Sequence, residues 1–307
     1  MIVITAPTSQ IGSQLIAELL AADLSLRLIA REPGKLPKDV RDRVEIIEGS
    51  HGDPKVIDRA LSGAAALFWL APPAWGQTLE QAYLDFTRPA AAAIRRHEVA
   101  RVVSVTALGR GTRWQNDAGP VTASLAMDDM LMASGAAFRG LAMPSFMENT
   151  ARQLGAIKES GTFFGPIDPE KKLPFTATRD IAIAASRLLG DGEWQGQEDV
   201  PVLGPENLSF NDQAAIISQV TERPVRYQQI AYDRFKQQFL ERGASESVAQ
   251  GYVDMYRAKD EGMDNEAPRR PESVGRTSFR DFCEDVMGPS LRDVRRQRQW
   301  HRFEVVI

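Results

Sequence analysis

Apolar residues in the first half of the chain fall into short runs separated by stretches of a different period. The runs at 2–5, 24–30, 44–48, 66–70 and 101–105 are rich in Val, Ile, Leu and Phe. Short continuous runs of this kind predict strands buried on both faces. Between the first two, Ile11, Leu15, Leu19 and Ala22 recur at helical spacing. Helical patterns return at 53–61, 79–97 and 124–133, the last through Leu125, Met127, Met130 and Leu131, and 138–142 reads as a further strand. Such alternation predicts an α/β fold: a doubly wound parallel sheet, covered by helices on both faces and joined by right-handed crossovers. Ligands of these sheets bind beyond the carboxyl ends of the strands. Those ends are Thr5-Ala6, Ala30-Arg31, Leu70-Ala71, Val105-Thr106 and Met143-Pro144.

The pattern changes near residue 150. Strand signals thin to 200–203 and 225–230, and helical signals dominate. Ser209 with Asp212 three positions on reads as an N-cap pair opening a helix to about residue 220. A helical pair at 232–242 and 246–259 breaks at Gly243, the polar stretch 262–275 reads as a loop, and 278–287 is a last short helix. The expected division is a sheet-bearing domain over 1–150 and a smaller, mainly helical lobe over 151–307, with segments of the lobe free to rejoin the main sheet.

Composition narrows the class. With 43% apolar and 25% charged residues over 307 positions, the chain is expected to fold rather than remain disordered. A formal net charge of −4 speaks against nucleic acid as a partner. Cys283 is the single cysteine, so no intrachain disulfide can form and a cytoplasmic location is expected. His51, His97 and His301 with that one cysteine are too few soft ligands for a usual zinc site, and no metal is expected. No run approaches the ~20 apolar residues of a membrane span, and residues 1–5 lack the basic leader of a signal peptide. Arg292, Arg295, Arg296, Arg298 and Arg302 read as a solvated helix face.

The turn from the first strand into the first helix, Ala6-Pro7-Thr8-Ser9-Gln10-Ile11-Gly12, lies where nucleotide-binding sheets place a glycine-rich phosphate loop. Only Gly12 of a Gly-x-x-Gly-x-x-Gly spacing is present, with Ala6 and Ser9 in the other two places. Thr8, Ser9 and Gln10 offer side-chain donors instead, and a helix N-terminus adds free N–H groups. The plain alternative is a strand-turn-helix that packs tightly at Gly12. Arg31 directly follows the second strand, where an acid would bind a ribose diol and an arginine suits a 2′-phosphate. A solvated surface arginine is the alternative.

With these stretches in view, the chain resembles the NmrA-like branch of the atypical short-chain dehydrogenase/reductases. The resemblance is carried by MIVITAPTSQIG at 1–12, LIAREPGKL at 28–36, ALFWLAPP at 66–73, RVVSVTALG at 101–109, SGAAFRGLAMPSFMENT at 134–150 and TRDIA at 178–182. The LAPP stretch and the missing catalytic pair are also similar to the ergot-alkaloid dehydrogenase subgroup. The resemblance implies a Rossmann-like domain with NADP(H) across the strand ends, NAD(H) as the alternative, and a helical substrate lobe. It implies Thr8, Ser9, Gln10, Ile11 and Gly12 at the pyrophosphate and Arg31 at the adenosine phosphate. Leu70, Ala71 and Pro72, with Ser104, Val105 and Thr106, would line the ribose and nicotinamide side, and Pro144, Ser145 and Phe146 would close the nicotinamide end. The chain departs from many relatives at Ser124, where they carry a lysine four residues before the acid that is here Asp128. It departs again at Met143, an arginine in relatives, and at Gly49-Ser50, where they carry Gly-Asp.

Typical short-chain reductases pair a tyrosine with a lysine four residues on, the lysine lowering the phenol pKa. The one such pair, Tyr232 and Lys236, lies far from the expected active-site helix and reads as coincidence. Ser104 and Thr106 share one face of the fifth strand end, as active-site hydroxyls or as strand-end caps. Hydride transfer depends more on geometry and electrostatics than on a strong base, because the cofactor carries the chemistry. Trp75 and Trp114 are candidates for an apolar pocket, with Phe146, Met147, Met255 and Tyr256 as a second wall, whereas Phe68 and Trp69 read as core. His51 reads as a loop histidine or an adenine contact, and His97 as an offset to a helix dipole.

Three functions fit these residues. The first is an NADPH-dependent reductase of a small organic substrate working by direct hydride transfer, with a proton from Thr106, Ser104 or water. The second is a redox-sensing regulator that binds the dinucleotide without turnover and acts through a protein partner. The third is a scaffold without cofactor.

Overall fold

The computed structural model describes residues 1–270 and 274–292. The arginine run lies outside the described residues from position 293 onward. The first half builds β1 (Ile2–Ile4), α1 (Gln10–Ala21), β2 (Leu26–Ala30), α2 (Lys38–Arg41), β3 (Glu45–Glu48), α3 (Pro54–Leu61), β4 (Ala66–Trp69), α4 (Phe86–Arg96), β5 (Arg101–Ala107), α5 (Pro120–Met132) and β6 (Ala137–Met143). The helices start where the chemistry allows. Ser9 caps α1 by accepting the Gly12 N–H, and Asp53 caps α3 by accepting from Lys55 and Val56. The helix expected at 124–133 begins earlier, because Pro120 takes a first-turn position where its missing N–H costs nothing. The pattern read at 79–97 is helical without a break from 79 to 96, with a π turn at Gln81–Asp85 running into α4.

The second half adds β7 (Ser145–Phe146), α6 (Met147–Ala151), α7 (Leu154–Ser160), β8 (Thr162–Gly165), β9 (Leu173–Thr176), α8 (Thr178–Gly190), β10 (Gln197–Pro201), β11 (Asn207–Leu208), α9 (Phe210–Thr221), β12 (Arg226–Gln229), α10 (Tyr232–Glu241), α11 (Glu246–Asp260), α12 (Phe279–Phe282) and α13 (Gly288–Arg292). The capping box of Ser209 and Asp212 is present at the start of α9.

The main sheet has seven strands in the order β10-β6-β5-β4-β1-β2-β3, and every neighbouring pair is parallel. This is a Rossmann-like α/β sheet, with the winding direction reversing between β1 and β4. The chain after residue 150 does not stay apart from it. β10 extends the sheet beside β6, and α8 packs Ile181, Ala182 and Ala185 into the same core as Leu15 and Leu19 of α1. The opposite face is covered by α3, α4 and α5 through Ile57, Ile94 and Met127. A separate core under the helical C-terminal region gathers Phe163, Phe175, Ile217, Tyr227, Phe279 and Phe282.

Candidate cofactor and substrate site

The crevice opens where β1 and β4 part, and a single hydroxyl fixes its floor. Thr5 Oγ1 donates to the Phe68 carbonyl at 3.0 Å and accepts the Leu70 N–H at 2.9 Å. The two strand ends therefore leave the sheet in fixed register. His51 supports the same edge from below. It is buried, its Nε2–H donates to the Leu70 carbonyl at 3.1 Å, and its ring stands edge-on to Trp69 and Phe86. Burial lowers its pKa to about 4, so it stays neutral. The sequence alternatives at His51 thus resolve to a buried ring that braces the β4 end.

The Ala6–Gly12 turn keeps the shape of a phosphate loop while replacing its glycines. Ala6 holds a positive φ of 47°, a conformation glycine adopts without cost. A Cβ at Gly12 would lie 2.2 Å from the Ala6 carbonyl oxygen, so this one glycine is required for closure of the turn. Ser9 is committed within the loop: its hydroxyl donates to the Ala6 carbonyl at 2.8 Å and accepts the Gly12 N–H at 3.0 Å. The N–H groups of Gln10 and Ile11 begin α1, where no preceding turn supplies an acceptor. Thr8 is exposed and Gln10 half-buried, while Pro7 is buried beneath the loop. Two first-turn N–H groups, the positive end of a twelve-residue helix and the Thr8 side chain make a donor set suited to a diphosphate.

Arg31 stands exposed at the end of β2, next to β1 in the sheet. Its neighbour Glu32 is paired with Lys35 at 2.6 Å, which answers the charge that would otherwise repel a phosphate. At the far side of the crevice Ala71 and Pro72 continue from β4, and Pro144 links β6 to β7. The side chains of Leu70, Val105 and Phe146 turn inward and join the core on the α1 and α8 face, leaving backbone to front the crevice there.

Ser104 and Thr106 point the other way, toward α5. Ser104 is fully buried and its hydroxyl donates to Asp128 at 2.8 Å. Thr106 is 4% exposed and donates to Ser124 Oγ at 3.4 Å. Ser124, four residues before Asp128, turns its hydroxyl onto the Val121 carbonyl. Asp128 is wholly buried, and the cost of burying its charge raises its pKa to about 7, against the opposing effect of the Thr106 and Ser104 hydroxyls. Its Oδ2 has no hydrogen-bond partner. A charged girdle lies beside it: Arg110 reaches Asp199 of β10 at 2.8 Å and Asp129 of α5 at 2.7 Å. Gly140 makes room for this, since a Cβ there would lie 2.7 Å from Asp199 Oδ1.

Beyond β4 an apolar cavity of about 30 Å³ is lined by Ala71, Pro72, Trp75, Tyr83, Val248 and Tyr252, among others. The rings of Trp75 and Tyr252 lie 5.7 Å apart and nearly parallel, and Phe239 stacks on both. Ser245 ties this loop down, its N–H and hydroxyl donating to the carbonyls of Trp75 and Gln77. The expected second wall is different from the one found. Phe146, Met147 and Met255 sit in three separate cores, and α11 supplies Tyr252 and Val248 instead. Trp114 faces the end of α11, donating to Glu261 at 2.9 Å. Tyr232 and Lys236 are each engaged within the α10–α11 hairpin, with Asp260 and Glu246. His97 meets Asp58 at 3.0 Å.

Residues 7–170, more than half of the chain, match the family described as NAD(P)H-binding. The protein belongs to that family, which agrees with the resemblance to the NmrA-like, atypical short-chain dehydrogenase/reductases read from its sequence. Among curated proteins it is 27% identical over 263 residues to the NAD(P)H azoreductase of Xenophilus azovorans, covering 83% of this chain and 86% of that one. It is 28% identical over 237 residues to the (4-alkanoyl-5-oxo-2,5-dihydrofuran-3-yl)methyl phosphate reductase of Streptomyces griseus, covering 76% and 78%. Two solved structures share the fold. The NADPH-dependent quinone oxidoreductase QOR2 of Escherichia coli, complexed with NADPH, superposes with a TM-score of 0.78 at 20% identity over 94% of this chain and all of that one. The triphenylmethane reductase of Citrobacter sp., complexed with NADP(H), gives 0.77 at 17% identity over 93% and 100%. These comparisons do not confirm the finer likeness to the ergot-alkaloid dehydrogenase subgroup. Among the described residues no helix is long and apolar enough to cross a membrane.

Proposed function

We propose that the protein is an NADPH-dependent reductase of a small, flat, apolar electrophile. The observation that carries this reading is the aromatic wall of Trp75, Phe239 and Tyr252. It adjoins Ala71 and Pro72, the residues that continue the cofactor crevice from β4. Stacked rings with few polar partners favour planar conjugated molecules over sugars or polyols. The Gln10 and Ile11 N–H groups, with Thr8, hold the diphosphate, and Arg31 takes the 2′-phosphate. Gly12 keeps the loop closed. Ala71, Pro72 and Pro144 shape the nicotinamide edge, together with the backbone at Leu70, Val105 and Phe146. When bound, the reduced nicotinamide supplies the hydride. Thr106 or water gives the proton, while Ser104 holds Asp128 in place.

NADPH oxidation across a panel of quinones, enones, imines and azo dyes tests the reading. Turnover with planar acceptors is expected, and Trp75→Ala is expected to raise KM for them by several-fold, in line with ~0.5–1.5 kcal/mol for an aromatic contact. Turnover unaffected by Trp75→Ala would remove the aromatic wall from the account. The second reading, a redox-sensing regulator, draws on the burial of both strand-end hydroxyls. It is favoured if NADPH binds, no acceptor is reduced, and a protein partner is captured only with cofactor present.

A further inference from the structure

We infer that the hydroxyls of Tyr83 and Tyr252 form the polar end of the substrate site, donating hydrogen bonds to a carbonyl oxygen at the edge of a planar conjugated molecule. The inference rests on the reductase reading above and deepens it by naming the group that the site recognises. Both tyrosines line the cavity beyond β4, beside Ala71 and Pro72. Elsewhere in the lobe, Tyr227 donates to the Ile167 carbonyl at 2.9 Å and Tyr232 to Asp260 at 3.3 Å. Among the described residues, no group hydrogen-bonds the hydroxyl of Tyr83 or of Tyr252. Tyr256, one turn further along α11, is likewise unpartnered but lies outside the cavity lining. A buried phenol normally finds a partner for its O–H. Tyr83 is only 8% exposed, so an unpartnered donor in the wall of a cavity points to a ligand that enters it.

Local structure holds the pair in place. Tyr83 is the middle residue of the π turn at Gln81–Asp85, and such turns are frequent at functional sites. Tyr252 follows Gly251 in α11. A Cβ at Gly251 would lie 2.6 Å from Leu79 Cδ1, and one at Gly119 would lie 2.1 Å from the Gly251 carbonyl oxygen. The two glycines therefore let α11 come this close to the start of α5 and to the chain ahead of the π turn. The Leu79 N–H ties the same two segments together, donating to Ser247 Oγ at 3.3 Å.

The chemistry of the lining selects the ligand. It carries no charged side chain, and its polar side-chain groups are the two phenol hydroxyls and the Trp75 indole N–H, all of them able to donate. Burial raises the pKa of both phenols, so they keep their protons and act as hydrogen-bond donors rather than as acids. A cationic acceptor would find no counter-charge here. A quinone or enone oxygen presents two lone pairs, one for each hydroxyl. The cavity measures about 30 Å³, which suits one oxygen atom rather than a ring system. The carbonyl enters it, and the rings stay toward Trp75 and the crevice.

Two measurements on the full chain test the inference, using Tyr83→Phe and Tyr252→Phe, which keep the rings and remove only the hydroxyls. The first is equilibrium binding of 1,4-naphthoquinone and of naphthalene, a hydrocarbon of the same ring outline without an acceptor. Each variant is expected to weaken naphthoquinone binding by about three- to tenfold, the worth of one hydrogen bond, and to leave naphthalene binding unchanged. The second is NADPH oxidation with naphthoquinone. Each variant should raise KM for the quinone by a similar factor with kcat little changed, the sign of lost ground-state binding. Should one variant fail to fold, the other decides. A parent protein that binds no naphthoquinone, variants that bind it as tightly as the parent, or equal losses for naphthoquinone and naphthalene would each overturn the inference while leaving the reductase reading to the wider acceptor panel. If binding falls as expected but the parent reduces no acceptor, the reductase reading fails and the tyrosine pair stands as a carbonyl-binding site.

Discussion

The two ends of the crevice handle their polar groups in opposite ways. At the β1–α1 turn the hydroxyl is spent internally, on the Ala6 carbonyl and the Gly12 N–H, and the backbone donors of Gln10 and Ile11 lie in the first turn of the helix, which has no intrahelical acceptor for them. At the β5–α5 contact the hydroxyls of Ser104 and Thr106 are buried against Asp128 and Ser124, and the backbone is consumed by the sheet. The first arrangement suits a fixed anion, because N–H groups at a helix start need no rearrangement to meet it. The second suits a proton, which can pass between buried oxygens that an anion could never reach. On the proposed reading, binding and chemistry fall to separate groups, and each should yield to substitution without the other.

The largest expected break in this contrast is Gly12→Ala. Its Cβ would fall 2.2 Å from a backbone oxygen, which side-chain motion cannot relieve. A loss of about 1–3 kcal/mol of stability is expected, read as a fall in Tm, with NADPH affinity down by more than roughly tenfold. A variant with unchanged Tm and affinity would show that the turn tolerates another shape. Next comes Arg31→Asp, expected to weaken NADPH relative to NADH by more than about tenfold, or ~1.4 kcal/mol. Equal losses for both cofactors would reject Arg31 as the 2′-phosphate contact. A titration of stability sharpens the other end. The folded pKa of Asp128, about 7, lies above the ordinary carboxyl value, so the native state holds its proton longer and stability falls as pH rises between about 4 and 7. His51, lowered to about 4, works in the opposite sense, and stability rises as pH climbs through the interval between 4 and 6.5. Asp128→Asn should therefore gain on the parent protein as pH rises through this range, by on the order of 1 kcal/mol per pH unit. A pH-independent difference would place the Asp128 titration elsewhere. The smallest effect is expected from Ala6→Gly. Relief of the left-handed backbone should raise stability by about 1 kcal/mol, visible as a modest rise in Tm with NADPH affinity little changed.

Much of the sheet was legible because its strands are buried on both faces. Runs such as Ile2–Ile4 and Ala66–Trp69 have no polar alternation to mislead, and the helices between them carry their own caps. The strand at Gln197–Pro201 was misplaced by a few residues, because it lies at the sheet edge and its residues are only partly buried or exposed, which leaves little apolar signal. β8 and β9 are too short to stand out, and their pairing with β12, β7 and β11 comes from contacts distant in sequence. At the site, the importance of Gly12 and the placing of Arg31 beside β1 followed from the strand-turn-helix order. The internal use of the Ser9 hydroxyl did not, because Ser9 looks the same in sequence whether it caps a helix or meets a phosphate. Tyr252 was missed for a similar reason. It sits on a helix with other aromatic residues, and only the packing of α11 against the β4 loop separates the ring that enters the cavity from those that fill cores.

The central claim is that the β1–α1 turn, with alanine and serine where glycines are usual, still receives a dinucleotide diphosphate. Calorimetric titration of the purified protein with NADPH tests it most directly. One site with micromolar affinity, lost in a Gly12→Ala protein that remains folded, is the predicted result. A folded parent protein that takes up no NADPH at concentrations up to about millimolar would contradict it.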